Sequence, residues 1–444
     1  MQIVRRETAI LLLGDLTILA SSLIFALFVR RFEWPSFDII LDNIVPFIPL
    51  FFLSLFVFYI AGLYEKQTIV VKRTMGERIF WTQFGNSLIA AVVFFILPLS
   101  IAPKTILLLY LFISVFLVSV WRLWVFPKTF VFPREQGVLI AHGSASLELR
   151  NEVNSNNRYR IMFADHLDPT MMTADELSKR IRQEVESGAR VLVMDSNNEQ
   201  VRKATPLLYN VMLQGVPVLE FSSLYEDIFD RVPLEHIDHA WLLENIPHTH
   251  VVYDFFKRVF DIVLALLGLI VAIPFVALAS LVLLFDGGAP FIFPERVGKN
   301  GETIRLVKLR TMLFFDNGDP EKQKQNRVTT CGKFLRKTRI DELPQLWNIL
   351  KGELSFIGPR PELPKLAEVY ERAIPYYHVR HLITPGLSGW AQIKDYNAPR
   401  GQADIEKTSR KLSYDLLYLK QRSFGFDLAI ALKTIRALLS FSGT

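Results

Sequence analysis

Apolar stretches long enough to cross a bilayer constrain this chain more than any other feature. A helix needs about 20 apolar residues to span the hydrocarbon core. Four such stretches precede residue 125, at 9–29, 44–63, 79–99 and 101–121. A tight turn around Pro98 and Pro103 separates the last two. A helix in lipid satisfies its own backbone hydrogen bonds, so residues 1–125 are expected to form a four-helix transmembrane bundle. Arg5 and Arg6 before the first stretch resemble the start of a signal peptide. The stretch is long and lacks a small-residue cleavage site, so it reads as a retained span. The composition agrees: 51% of the residues are hydrophobic, and a mean hydropathy of +0.27 is too high for an ordinary soluble enzyme.

Basic residues near the span ends set the orientation. Arg5 and Arg6, then Lys66, Lys72, Arg73 and Arg78, then Arg122, Lys128 and Arg134 mark three cytoplasmic segments. Arg30 and Arg31 break the pattern, balanced in part by Glu33, Asp38 and Asp42. Four spans return the chain to the cytoplasm after about residue 125. Asp15, inside the first span, is a candidate functional acid; a place against a partner helix or at the interface is the alternative. A single cysteine, Cys331, excludes an internal disulfide and disfavours a cysteine-based zinc site. The net charge of +6 suits anionic partners, lipid headgroups or phosphorylated substrates. No nucleic-acid motif is present, so nucleic acid is not expected as a partner.

Residues 137–250 read as a soluble, Rossmann-like α/β domain. Strands are expected at 138–141, 159–163, 190–194 and 216–221, with helices at 174–187 and 199–213. Strand–helix alternation implies a parallel sheet. The first turn reads AHGSAS, with Gly143 as the only glycine of a dinucleotide fingerprint. A regulatory or assembly module fits better than a nucleotide site.

A fifth apolar segment follows, within residues 253–286. Pro274 lies near its middle, where it removes a helix hydrogen bond and favours a kink. A helix that enters the membrane, bends at Ile273-Pro274 and returns to the same face keeps the remaining chain in the cytoplasm. An ordinary kinked span is the alternative. Residues 287–444 then form a mixed α/β catalytic domain. Its densest cluster is GKFLRKTRIDELPQLWNILKGELSFIGPRPE, residues 332–362. Asp341 and Glu342 stand side by side, with Arg336 and Arg339 before them and Arg360 after. Arginine forks grip phosphate oxygens, and a carboxylate can hold a divalent cation or attack phosphorus. Asp341 is expected to open a helix running to Leu350 and, held near arginines and a metal, to stay ionised at neutral pH. An ordinary helix cap with surface salt bridges is the bland alternative. The tail at 427–439 has helical apolar spacing and could lie on the membrane surface.

Several motifs in this order resemble the monotopic phosphoglycosyl transferases, the bacterial sugar transferase family, and most closely its long polyprenyl-phosphate hexose-1-phosphate transferases. They are the Pro-broken helix, KLRTM at Lys308–Met312, GKFLRKTRIDELPQLWN, SFIGPRPE and RHLITPGLSGWAQI at Arg380–Ile393. Leu309 stands where the family shows an aromatic, and Ile273 where some members carry serine. The resemblance implies a multi-pass protein of the bacterial inner membrane with its active site on the cytoplasmic face. It implies that Asp341 attacks the sugar-linked phosphate of a UDP-sugar and expels UMP. Undecaprenyl phosphate then takes the phosphosugar, the first membrane step of exopolysaccharide, O-antigen or capsule assembly. Glu342 is implied as the Mg²⁺ ligand. Arg336, Arg360, Lys308 and Arg310 are candidate phosphate contacts, with a structural role open for the last two. A homodimer is left open.

His378 and His381 invite a base or metal reading, with local packing as the alternative. Pro385, Gly386 and Gly389 read as turn residues, and Trp347 and Trp390 as anchors. Two rival functions stay in view. Tyr253 and Lys257 have the YxxxK spacing of a membrane-bound nucleotide-sugar dehydratase or epimerase. A scaffold with a decayed transferase domain is the other.

Overall fold

The computed structural model describes residues 2–61, 63–64, 79–80, 82–86, 88–91, 104–126, 134–156, 159, 161–246, 250–285, 288–314, 326–395 and 403–439. The chain divides into two compact units, residues 1–227 and 228–444.

The first unit begins with long apolar helices, α1 (Gln2–Arg31), α2 (Phe37–Ile60) and α3 (Lys104–Val120). Among the described residues, three segments here are long and apolar enough to cross a membrane: Ala9–Arg31, Phe37–Ile60 and Thr105–Val125. The described residues between 79 and 91 are helical. The rest of the expected third span, the turn at Pro98 and Pro103, and Lys66, Lys72, Arg73, Arg78 and Lys128 lie outside the described residues. Leu19, Leu23, Phe47, Phe51, Phe58, Tyr110 and Val118 form the apolar core between the helices.

Within that core sits one ion pair. A five-residue π turn, Trp121–Val125, continues α3 and carries Arg122. Arg122 Nε donates to Asp15 Oδ1 at 3.0 Å, and a second guanidinium nitrogen meets Oδ2. Its third nitrogen donates to the Leu63 carbonyl at 2.6 Å, and Tyr64 donates to Asp15 Oδ2 at 2.7 Å. Both side chains are fully enclosed. Arg122 is therefore a buried partner for Asp15, where the charge pattern alone places it at the cytoplasmic edge. Asp15 has a structural employment in this pairing.

The α/β region of the first unit is a four-stranded sheet in the order β2-β1-β3-β4, every pair parallel. The strands are β1 (Glu135–Ile140), β2 (Ile161–Leu167), β3 (Val191–Met194) and β4 (Val218–Glu220). Parallel strands need crossovers, and helices α4 (Gly143–Ser155) and α5 (Ala174–Glu186) supply the first two. Val138, Ile140 and Leu192 from the strands pack on Leu177 and Ile181 of α5.

The second unit starts earlier than the boundary read at residue 250. Val232, Ile237, Trp241 and Ile246 are core residues alongside Tyr370, Tyr377, Trp390 and Tyr418. Segment 228–246 buries its apolar side chains in this core. Helix α6 (Val251–Phe285) follows, 35 residues with Pro274 inside. Among the described residues it is the fourth helix of membrane length. Outward along it, Ile270, Val271, Ile273, Leu278 and Phe285 stay exposed. Its small residues face the other way: Ala265 and Ala272 pack on Leu346, Ile349 and Leu354, and Ala279 and Leu283 on Leu309 and Leu335. The remainder is built from short pieces. Antiparallel pairs join β5 (Phe291–Ile292) to β8 (Lys308–Leu309) and β6 (Glu295–Val297) to β7 (Thr303–Arg305). A parallel pair joins β9 (Ser355–Ile357) to β10 (Gly386–Ser388). Helices α7 (Thr330–Thr338), α8 (Leu346–Lys351), α9 (Ile405–Gln421) and α10 (Phe424–Leu439) are among those that pack around these strands.

Candidate active site

Arg339 sets the site's geometry. It takes the left-handed conformation, φ 59°, and ends α7 there. A non-glycine residue in that region is uncommon and marks a position the surroundings enforce. The chain then enters a 3₁₀ turn, Ile340–Gln345, before α8 begins. Asp341 therefore sits in the first turn of a helical run from Ile340 to Lys351 that begins as 3₁₀, with Arg339 and not Asp341 at its cap. Pro344, inside that turn, has no N–H for a helical bond. Asp341 is 8% exposed, and its Oδ1 accepts no hydrogen bond. Gln345, four residues on, is also buried, with its Nε2 unpartnered.

The structure brings Lys308, Glu342 and Arg360 together. Lys308 Nζ lies 2.8 Å from Glu342 Oε1, and an Arg360 guanidinium nitrogen lies 3.6 Å from the same oxygen. Lys308 reaches it from β8. Asn348 secures that approach: its Oδ1 accepts from the Val307 N–H at 2.9 Å, one residue before Lys308. Arg336 reaches from α7, where its Nε donates to Thr311 Oγ1 at 2.9 Å. Gly332 allows α7 to come that close, because a Cβ there would lie 2.0 Å from the Thr311 carbonyl oxygen. Arg310 is directed elsewhere. It is buried and donates to the Leu283 and Leu313 carbonyls, tying β8 to the end of α6. That geometry gives Arg310 a structural role in place of a phosphate contact.

The two carboxylates are driven apart. Burial raises Asp341, and Glu342 next to it adds to the rise; Lys308, Arg336 and Arg339 pull against both. Burial would raise Glu342 too, but Lys308 and Arg360 outweigh it and bring the group down to about 2. At Asp341, desolvation and the neighbouring carboxylate thus oppose the pull of the lysine and the two arginines. A positive charge added beside Asp341 would favour the ionised form. The orphaned Asp341 Oδ1 and the hard oxygen donors of Glu342 suit a magnesium-type cation.

Beside the carboxylates lies an apolar groove of about 650 Å³. Leu264, Leu267, Gly268 and Val271 of α6 form one wall, and Ile340, Leu343 and Leu346 the other. Ile340 and Leu343 flank Asp341 and Glu342 in sequence, so one turn lines the groove and carries the acids.

Other candidates fall outside this cluster. Tyr253 Oη and Lys257 Nζ both bind Asp427 Oδ2, at 2.7 and 2.6 Å, and Tyr418 holds the other oxygen. The YxxxK pair thereby fastens α10 to the first turns of α6. His381 packs edge-on to Tyr377, and burial with Arg380 beside it lowers its pKa to about 4. Trp390 is buried and donates to the Asp230 carbonyl, while Trp347 is half-exposed. Leu309 is a core residue, as a packing position should be.

Residues 252–441 match the profile of the bacterial sugar transferase family, from α6 to the end of α10. The exopolysaccharide production protein ExoY of Sinorhizobium fredii (strain NBRC 101917 / NGR234) is 37% identical over 209 residues, 42% of this chain and 87% of that protein. The chain belongs to the bacterial sugar transferase family. Two longer relatives match over smaller shares. The UDP-N-acetylgalactosamine-undecaprenyl-phosphate N-acetylgalactosaminephosphotransferase of Aeromonas hydrophila is 35% identical over 241 residues, 52% of this chain and 54% of the relative. The UDP-glucose:undecaprenyl-phosphate glucose-1-phosphate transferase of Escherichia coli (strain K12) is 39% identical over 184 residues, 40% of this chain and 39% of the relative. The chain therefore spans about half or less of these two proteins' lengths. The whole cluster from Lys308 to Arg360 lies inside the range the sugar transferase family shares.

Proposed function

We propose that this chain transfers a sugar 1-phosphate from a UDP-sugar to undecaprenyl phosphate on the cytoplasmic face of a bacterial inner membrane. One observation carries the reading: a buried carboxylate with an unpartnered oxygen, in a cationic cluster, shares a turn with an apolar groove. A lipid phosphate needs both surfaces at once. The names of the relatives, which act with undecaprenyl phosphate, support it.

Asp341 Oδ attacks the phosphorus that bears the sugar, and the bond from that phosphorus to the bridging oxygen breaks. UMP leaves with that oxygen and its electron pair. The phosphosugar stays on Asp341 as an acyl phosphate. A phosphate oxygen of undecaprenyl phosphate then attacks the same phosphorus and returns the Asp341 carboxylate. The product is the polyprenyl-diphosphate sugar. Lys308 and Arg360 leave Glu342 to meet the diphosphate of the donor, and Arg336 holds a phosphate oxygen beside Asp341. Glu342 and Asp341 are the residues that would hold Mg²⁺, which when bound neutralises the diphosphate and the departing UMP.

The groove's position supports a re-entrant α6. Near its start, Arg258 donates to the Ile349 and Leu350 carbonyls at 2.5 and 2.6 Å, and Asp261 accepts from the Phe356 N–H at 3.2 Å. Near its end, the Leu283 carbonyl accepts from Arg310. Both ends are fastened to one polar unit, as expected of a helix that returns to the face it entered. A straight 35-residue helix would measure about 52 Å, well beyond a hydrocarbon core of about 30 Å, so a bend at Ile273-Pro274 fits.

UMP release from UDP-glucose, UDP-galactose and UDP-N-acetylgalactosamine, with Mg²⁺ and with or without undecaprenyl phosphate, tests the reading. Lipid-dependent UMP release is expected with one donor. UDP in place of UMP would sink it.

A further inference from the structure

Arg380 is buried, yet its guanidinium does more than balance a charge. One terminal nitrogen donates to Tyr377 Oη at 2.8 Å. The other lies 2.8 Å from Asp415 Oδ2 on α9 and also donates to the backbone carbonyl of Arg360 at 3.0 Å. Arg380 Nε and Asp415 Oδ2 have no well-aligned hydrogen bond, so this contact is electrostatic and not directional. A buried ion pair of that quality adds little stability over an apolar pair of the same size. Its geometry is explained by what it holds.

What it holds is the backbone of the Gly358–Glu362 segment. The Gly358 N–H bonds the Ser388 carbonyl, the Gly386 N–H bonds the Pro359 carbonyl, and the Val297 N–H bonds the Glu362 carbonyl, each at 2.9 Å. Arg380 supplies the bond between these, at Arg360 itself. Gly386 must lack a side chain here, because a Cβ would stand 2.1 Å from the Gly358 nitrogen. These bonds hold the backbone at Gly358, Pro359, Arg360 and Glu362, while the Arg360 side chain, 49% exposed, reaches to Glu342.

We propose that Arg380, with Asp415 as its counter-ion, is a positioning residue that aims Arg360 at the donor diphosphate. Arg380 acts from the core through a single carbonyl, and Asp415 keeps it in place. This rests on the transferase reading for its kinetic consequence, but not for its structural one.

A fork is required. A lysine at 380 keeps the charge beside Asp415 but cannot also span to Tyr377 and the Arg360 carbonyl. Loss of aim at a phosphate contact costs about 10- to 100-fold in kcat/KM for the UDP-sugar. The test is a double-mutant cycle of Arg380→Lys and Arg360→Ala in full-length protein in nanodiscs, using whichever of the three UDP-sugars is turned over. Arg380→Lys is expected to lower kcat/KM in the wild-type background and to cost nothing further in the Arg360→Ala background. An equal loss in both backgrounds overturns the proposal, because a merely structural role gives that result. Hydrogen–deuterium exchange over residues 357–363 decides the matter independently of any donor. Faster exchange confined to this segment in Arg380→Lys is expected, and unchanged exchange overturns it. Should Arg380→Lys not fold, Tyr377→Phe removes one of the fork's partners and is expected to show the same pattern more weakly. An inactive wild type would contradict the transferase reading while leaving the exchange result to judge this one.

Discussion

Asn348 is completely enclosed, and its side chain links three elements. Oδ1 accepts from the Val307 N–H at 2.9 Å, while Nδ2 donates to the Arg305 carbonyl at 2.7 Å and to Glu353 Oε2 at 2.6 Å. Asn348→Asp changes one atom of this arrangement. The acceptor for Val307 survives. The donor becomes an acceptor facing a carbonyl and a carboxylate. One neutral hydrogen bond is lost at about 1 kcal/mol, one charge-assisted bond at about 2, and the stranded carbonyl adds about 1 more, giving roughly 4 kcal/mol. The second unit should melt about 10 °C lower, at about 2–4 °C per kcal/mol for a domain of this size. Adding Glu353→Gln supplies an amide that can donate to the new carboxylate at position 348, and should recover about half of the loss. Because the Val307 bond persists, Lys308 keeps its place beside Glu342, so turnover well below the melting temperature should stay within about twofold of wild type. Asn348→Ala removes the Val307 bond as well and should lower kcat along with stability. Thermal unfolding in nanodiscs, paired with UMP release at about 20 °C or below, reads both effects, since that temperature lies well under the expected melting range. Wild-type stability in Asn348→Asp, or no recovery with Glu353→Gln, would refute this reasoning.

Three further outcomes are expected. Asp15→Asn leaves the Arg122 charge enclosed without its counter-charge and should destabilise the first unit by about 3–5 kcal/mol, whereas replacing both residues by leucine should cost far less; similar melting temperatures for the two variants would count against the pairing. His381 is held down at about 4 against an ordinary 6.5. Unfolded chains then take up a proton that the folded unit refuses, so stability is full above about pH 6.5 and falls as pH drops toward about 4. The contribution is at most about 3 kcal/mol, because Glu371, 3.7 Å away and half-exposed, offers only a weak, screened attraction to the imidazolium. His381→Gln should flatten the melting-temperature difference between about pH 5 and pH 7.5, which bracket much of that window, and an unaltered difference would assign it elsewhere. Glu342→Gln should raise the Mg²⁺ concentration needed for half-maximal UMP release, and an unchanged Mg²⁺ response would remove Glu342 as the ligand.

Periodicity makes much of the architecture legible. The apolar spans, and strands such as Val191–Met194, announce themselves because burial on every side demands unbroken apolar runs. Helix α4 escapes such a reading because GSASLELRNEVNS carries little apolar spacing and many weak helix formers. Asp15 is legible as an anomaly, but its partner Arg122 lies 107 residues away and only tertiary packing joins them. Asp341, Glu342 and Arg360 are legible together because acids and arginines stand close in the chain, whereas Lys308, 34 residues before Glu342, joins them only in the fold. The turn that carries the two acids is not legible, since the left-handed Arg339 has no signature without a glycine. For Arg310 the sequence leaves a phosphate contact and a structural role both open, and only the folded chain shows its guanidinium on the Leu283 and Leu313 carbonyls. Arg380 draws no notice beside two histidines, because its role lies in a backbone carbonyl that no motif reveals.

The central claim is that Asp341 carries the phosphosugar. Intact-protein mass spectrometry after incubation with Mg²⁺ and the active UDP-sugar, without lipid acceptor, tests it most directly. The expected result is a mass increase of one phosphosugar, mapped to the peptide containing Asp341, absent in Asp341→Asn and discharged by undecaprenyl phosphate. UMP release at the wild-type rate from Asp341→Asn, or an adduct on any other residue, would contradict it.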